Sequence, residues 1–218
     1  MKNLNILVLV LLPLAGYAQS GNLGNWLIYF GNKKINEKLN WHHEVQYRNY
    51  NAIGDLEQLL LRTGVGYNLT ENNNNLLLGY SYIISENYIG ATTEKVSVNE
   101  HRIYQQFITR QSIGSVQVQH RYRFEQRFIE EDFKLRFRYF LALNIPLNNS
   151  DIVDKTVYAS LYNEVFLNSK ETIFDRNRLY AGLGYRVTKA FRFELGYMNQ
   201  FLNNGNRDQV NVITFLSF

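Results

Sequence analysis

The sequence predicts an all-β fold, a single antiparallel transmembrane β-barrel that follows a cleaved signal peptide. Three observations predict it. Apolar and polar residues alternate with period two along most of the chain, as a strand with two unlike faces requires. On the best-defined segments one parity is free of Asp, Glu, Lys and Arg while the other is rich in them. After Ala18 no run of about 18 apolar residues occurs, so the remaining chain offers no transmembrane helix.

The first eighteen residues read as the export signal. Lys2 precedes an apolar run from Leu4 to Leu14, and Gly16 and Ala18 supply the small residues of a cleavage site. The run is too short to cross a hydrocarbon core of about 30 Å as a helix. Residues 1–18 are therefore expected to be the signal peptide and residues 19–218 one barrel domain. No Pro-, Gly- or Ser-rich linker divides them. Of the two prolines, Pro13 lies in the leader and Pro146 opens a loop.

Aromatic residues make up 15% of the chain, with sixteen Tyr and fourteen Phe, which favours strands. The absence of cysteine excludes disulfides and thiolate metal sites. A formal charge of +4, lowered by one when Lys2 leaves with the leader, is too mild to indicate a nucleic-acid partner.

Taken in order, strands are expected at 39–49, 57–67, 76–84, 98–109, 116–128, 133–143, 156–168, 176–187, 190–201 and 208–218. Each has the length that a tilted strand needs to cross a bilayer. The clearest is 116–128, where Val116, Val118, His120, Tyr122, Phe124 and Phe128 alternate with polar residues. Phe133, Leu135, Phe137, Tyr139, Leu141 and Leu143 continue the pattern in opposite parity beyond a turn at Glu130, Glu131 and Asp132, which makes a long hairpin. Asn-rich or charged turns separate the others, at 68–75, 87–94, 148–154 and 203–208. Residues 26–32 form a possible eleventh segment. Because bacterial single-chain barrels close with an even number of strands, ten are expected, with twelve as the alternative.

A charge on the lipid face near the midplane costs about 2–4 kcal/mol, so the charge-free parity is expected outside and the charged parity inside. A soluble sandwich or periplasmic lipid carrier would reverse the sense. Strand length, the aromatic weight of the apolar parity and the export signal favour the membrane reading. The end of the chain does too: Val210, Val212, Leu216 and Phe218 resemble the aromatic-ended last strand of outer-membrane barrels. That resemblance implies presentation to the barrel-assembly machinery, with outer-membrane lipid as the other partner.

The leader, the Lys33–Lys38 turn and the Glu100, His101, Arg102 run followed by Gln105 and Gln106 belong to a wider pattern with the Leu143, Asn144, Ile145, Pro146 loop entry and the aromatic end. Together they resemble an uncharacterised family of small outer-membrane barrels of Gram-negative bacteria. The resemblance implies an outer-membrane, porin-like barrel and no particular activity.

The most distinctive chemical set is basic: Arg121, Arg123, Arg127, Lys134, Arg136 and Arg138 share one face of adjacent strands. Glu44, Glu100, Glu125, Glu164 and Glu194 are candidate partners, with Arg48, Arg62, Arg102, Arg178 and Arg192 on the positive side. Two readings follow: an ion-pair network that plugs a narrow barrel, or an electropositive passage for small anions. A lipid-modifying enzyme is the alternative class, using His42, Glu44 or His101. No histidine has a serine two positions away, as a His–Ser pair on one strand face needs. His42 and His43 point to opposite faces, and His42 with Glu44 gives only two metal ligands. No catalytic set, cofactor or metal site is assigned, and oligomeric state is left open.

Overall fold

The computed structural model describes residues 23–70, 73–170 and 172–218, so the expected signal peptide lies outside the described residues. Among the described residues eleven strands form a closed barrel: β1 (Gly24–Lys34), β2 (Leu39–Asn49), β3 (Leu56–Asn68), β4 (Asn74–Tyr88), β5 (Lys95–Ile113), β6 (Val116–Ile129), β7 (Asp132–Pro146), β8 (Thr156–Asn168), β9 (Phe174–Thr188), β10 (Phe191–Leu202) and β11 (Gly205–Ser217). The shortest strands have 11 residues. At about 3.3 Å per residue and a tilt of about 40°, even these rise about 28 Å along the barrel axis.

Consecutive strands pair antiparallel. Closure is different: β1 pairs in parallel with β11, from Gly24 opposite Gln209 to Asn32 opposite Ser217. The expected count of ten or twelve is thus corrected to eleven, and the wholly antiparallel barrel to one with a single parallel seam. With an odd number of strands, the first and last run the same way and meet in no other fashion.

Residues 26–32 do form a full strand, and their composition explains why period two did not reveal it. Trp26, Ile28 and Phe30 point inward while Leu27 and Tyr29 point outward, so both parities are apolar. The inward set packs with Ile213 and Phe215 of β11, Met198 of β10 and Tyr180 of β9 to make the apolar core of the barrel along the seam. Elsewhere strands run past their apolar stretch into polar residues, which is why β4 and β5 are longer than expected at both ends.

The outward face is a belt of exposed apolar side chains, among them Trp41, Leu61, Leu78, Ile103, Phe124, Phe137, Leu183 and Val212. Several polar side chains within the belt are mated across neighbouring strands. Gln105 and Gln126 exchange hydrogen bonds at 3.0 and 3.2 Å, Asn163 and Asn177 at 2.9 and 3.2 Å, and the Tyr80 hydroxyl lies 2.6 Å from His101 Nδ1.

The seam is open to a direct test in a chain without cysteine. Leu27→Cys with Val212→Cys should be joined by a short bis-methanethiosulfonate cross-linker, because the two are register partners on the outer face. A link from Tyr47→Cys to Val212→Cys instead would mean that β2 closes the barrel on β11.

Candidate functional site

The lumen is built from one parity of each strand. Glu44 and Arg48 enter from β2, Arg62 from β3, Glu100, Arg102, Tyr104 and Gln106 from β5, and Arg121, Arg123, Glu125 and Arg127 from β6. Lys134, Arg136 and Arg138 enter from β7, Glu164 and Phe166 from β8, Arg178 from β9, and Arg192 and Glu194 from β10. The sheet register places charges beside one another: Arg123 is opposite Arg138, Glu125 opposite Arg136, and Arg127 opposite Lys134.

Like charges held this close need shared counter-charges. Glu125, 1% exposed, accepts from Arg136 at 2.6 and 2.9 Å and from Arg138 at 2.8 Å, and lies 3.7 Å from Arg123 and 4.0 Å from Arg102. Glu164 accepts from Arg121 at 2.7 Å and from Arg138 at 2.7 and 3.0 Å, with Arg178 at 3.8 Å. Glu100 binds Arg102 and Arg127 through both oxygens. Glu44 accepts from Arg62 and Gln46, with His42 Nε2 at 3.4 Å. Glu194 instead accepts from the Tyr158 hydroxyl at 2.9 Å, and Lys134 sits near the rim with Asp132 at 3.4 Å.

Carboxylates are outnumbered, and aromatic faces take part of the excess. Four guanidiniums surround the buried Phe166 ring, those of Arg138, Arg178, Arg136 and Arg176 at 4.4–5.9 Å. Arg48 and Arg178 lie over Trp26 at 3.8 and 4.8 Å, and Arg123 lies over Tyr104 at 4.6 Å. Desolvated contacts of this kind contribute about 2 kcal/mol each.

Two lumenal carboxylates escaped the sequence reading. Asp175 sits at a bulge in β9 and reaches Arg136 at 3.3 Å, and Glu57 sits at a bulge in β3 and pairs with Arg207. A bulge turns a residue of the outward phase inward, and a strict period-two count cannot see it. The inward tyrosines were also missed. Their signal is the inward glycines: a methyl group at Gly79 would collide with the Tyr104 ring and one at Gly184 with Tyr158.

A cavity of about 970 Å³ opens at the end of the barrel where β11 terminates. Twelve Lys and Arg and four Glu line it. His42 lines it too, whereas His101 and His120 lie on the outer face against Tyr80 and Tyr139. Among the described residues no three His, Cys, Asp or Glu side chains gather as a metal site.

The family model for proteins of unknown function (DUF2490) matches residues 23–211. An uncharacterised protein of Methylorubrum extorquens is 30% identical over 168 residues, which is 72% of this chain and 69% of its own length. Among solved structures, LpxR from Salmonella typhimurium aligns over 92% of both chains with a TM-score of 0.46 and 14% identity.

Glu125→Ala removes the carboxylate that Arg136 and Arg138 share, leaving Arg138 to Glu164 and Arg136 to Asp175 with an excess of buried positive charge, and should lower unfolding stability by about 3–5 kcal/mol, measured by denaturant titration in micelles. Lys170→Ala, which removes an exposed pair with Asp132, should leave the midpoint unmoved. Equal midpoints for the two variants would contradict the network's role.

Proposed function

We propose, for a chain that belongs to the DUF2490 family of proteins of unknown function, that it is an outer-membrane barrel closed at mid-height, with an electropositive vestibule at one end instead of an open pore. The observation that carries this reading is the crossed Arg–Glu layer. Arg123 and Glu125, from the middle of β6, are 2% and 1% exposed, so no water-wide passage runs beside them. The layer extends around the lumen from Glu44 and Arg62 to Glu164 and Arg178, and Trp26 bridges its ends by taking both Arg48 and Arg178.

The outer belt supports placement in a bilayer. Its exposed side chains are apolar, and Lys33, Glu86, Lys95 and Asp208 lie near strand ends. Inside the belt Gln105 pairs with Gln126, Asn163 with Asn177 and Tyr80 with His101, while His43 packs among the Tyr29, Trp41 and Phe218 rings, arrangements that suit a surrounding without water. The leader read in residues 1–18 and the last strand favour the outer membrane over other membranes. Val210, Val212, Leu216 and Phe218 all lie on the outward parity of β11 and its end, where the assembly machinery would meet them. A soluble lipid carrier needs a continuous apolar interior, whereas here the apolar cluster at the seam and scattered residues such as Leu60, Leu77 and Ile83 are interrupted by buried arginines and glutamates.

Planar-bilayer recording tests the reading. The wild-type chain should be electrically silent, and Glu125→Ala with Arg138→Ala should open an anion-preferring conductance, since rings of arginine favour anions. A steady open conductance in the wild type would overturn the closed lumen.

A further inference from the structure

We propose that the vestibule is a binding site for an amphipathic organic phosphate, a phosphate monoester carried on an apolar or aromatic body, with Arg123 as the seat of the phosphate. The proposal rests on the closed-lumen reading, because the Arg–Glu layer is the floor of the site.

Arg123 is buried and lines the cavity. Its Nε and Nη2 both donate to Gln106 Oε1, at 2.8 and 2.5 Å. Its Nη1 has no hydrogen-bond acceptor among the described residues, the nearest carboxylate oxygen being that of Glu125 at 3.7 Å. Two positions along the same strand, Arg121 uses Nη2 on Glu164 and leaves Nε without an acceptor. Successive inward residues of one strand are about 7 Å apart. Arg121 and Arg123 thus line one cavity from adjacent inward positions, each with a buried guanidinium donor that has no acceptor among the described residues, and buried donors are ordinarily hydrogen-bonded.

Charge and shape select the ligand. The threefold excess of Lys and Arg over Glu in the lining favours a multiply charged anion, and guanidinium edges match phosphate geometry. Further up the wall, Arg110 and Arg192 add two more guanidiniums to the lining. A bare phosphate would leave most of about 970 Å³ empty, whereas pockets of this size suit larger organic ligands. The remaining lining is aromatic: Phe30 stacks with Phe215 at 5.2 Å, and Phe140 packs on Tyr162 at 5.0 Å. An anionic group on Arg123 thus has an apolar surface beside it for the rest of the molecule.

The chain carries its own reporter. Of its two tryptophans, Trp26 lines the cavity and Trp41 faces outward, so Trp41→Phe isolates Trp26 emission. In detergent, phenyl phosphate should change that emission saturably, with inorganic phosphate at least tenfold weaker and phenol without effect. Arg123→Gln should weaken phenyl phosphate tenfold or more and Arg123→Lys less, while Lys170→Ala leaves it unchanged. Competition by dihexanoyl phosphatidic acid would assign the phosphate to a lipid headgroup, and failure to compete would assign it to a soluble monoester; both sustain the phosphate chemistry. Absence of a saturable response to every phosphate, or unaltered binding in an Arg123→Gln variant that keeps its heat-modifiable gel mobility, would overturn the proposal. Silent bilayers with no phosphate binding would remove the seat alone. An open wild-type conductance would remove the closed lumen, whatever the phosphates do.

Discussion

Glu125 is shared by Arg136 and Arg138, with Arg102 and Arg123 at its flank, and Glu164 is shared in the same way by Arg121, Arg138 and Arg178. Buried charges are tolerated only when geometry and hydrogen bonding offset their desolvation, and this lumen has fewer carboxylates than guanidiniums. Sharing each carboxylate among several arginines, and turning others onto Phe166, Trp26 and Tyr104, is what allows so basic a parity to face inward.

That inward parity dictates the outward one. A strand alternates its side chains between two faces, so an arginine committed to the lumen turns its chain neighbours toward the belt, and in the middle of the strands those neighbours are largely apolar. Arg121 and Arg123 flank Tyr122, and Arg136 and Arg138 flank Phe137. The same alternation sends Gln105, Gln126, Asn163 and Asn177 outward, where each finds its partner on the adjoining strand. The apolar seam completes the interior. Where β1 and β11 meet in parallel, Trp26, Ile28 and Ile213 replace charge with packing, and this wall gives the vestibule its aromatic side.

Much of this was legible in the sequence because a strand of period two declares its faces. The ten strands from β2 to β11 follow from alternation, as does the single face shared by Arg121, Arg123, Arg127, Lys134, Arg136 and Arg138. Three features were not legible, each for a physical reason. β1 is apolar on both faces, so it carries no alternating signal, and the even-strand expectation then argued against it. Bulges at Glu57 and Asp175 shift the phase locally and hide two lumenal carboxylates. Which glutamate serves which arginine depends on stagger between strands, as in the contact between Glu164 of β8 and Arg121 of β6, which no local pattern encodes.

The proposed placement sets the charge-free parity against lipid and the arginine parity around a closed interior. Site-directed spin labelling tests it most directly, since no native cysteine interferes. Labels at Phe124→Cys, Phe137→Cys and Leu183→Cys should relax with oxygen, which concentrates in lipid, and be shielded from a water-soluble nickel reagent. Labels at Ala142→Cys and Ser160→Cys, inside the vestibule, should be shielded from lipid-borne oxygen. Nickel access at Phe124, Phe137 and Leu183 with oxygen access at Ala142 and Ser160 would contradict the account.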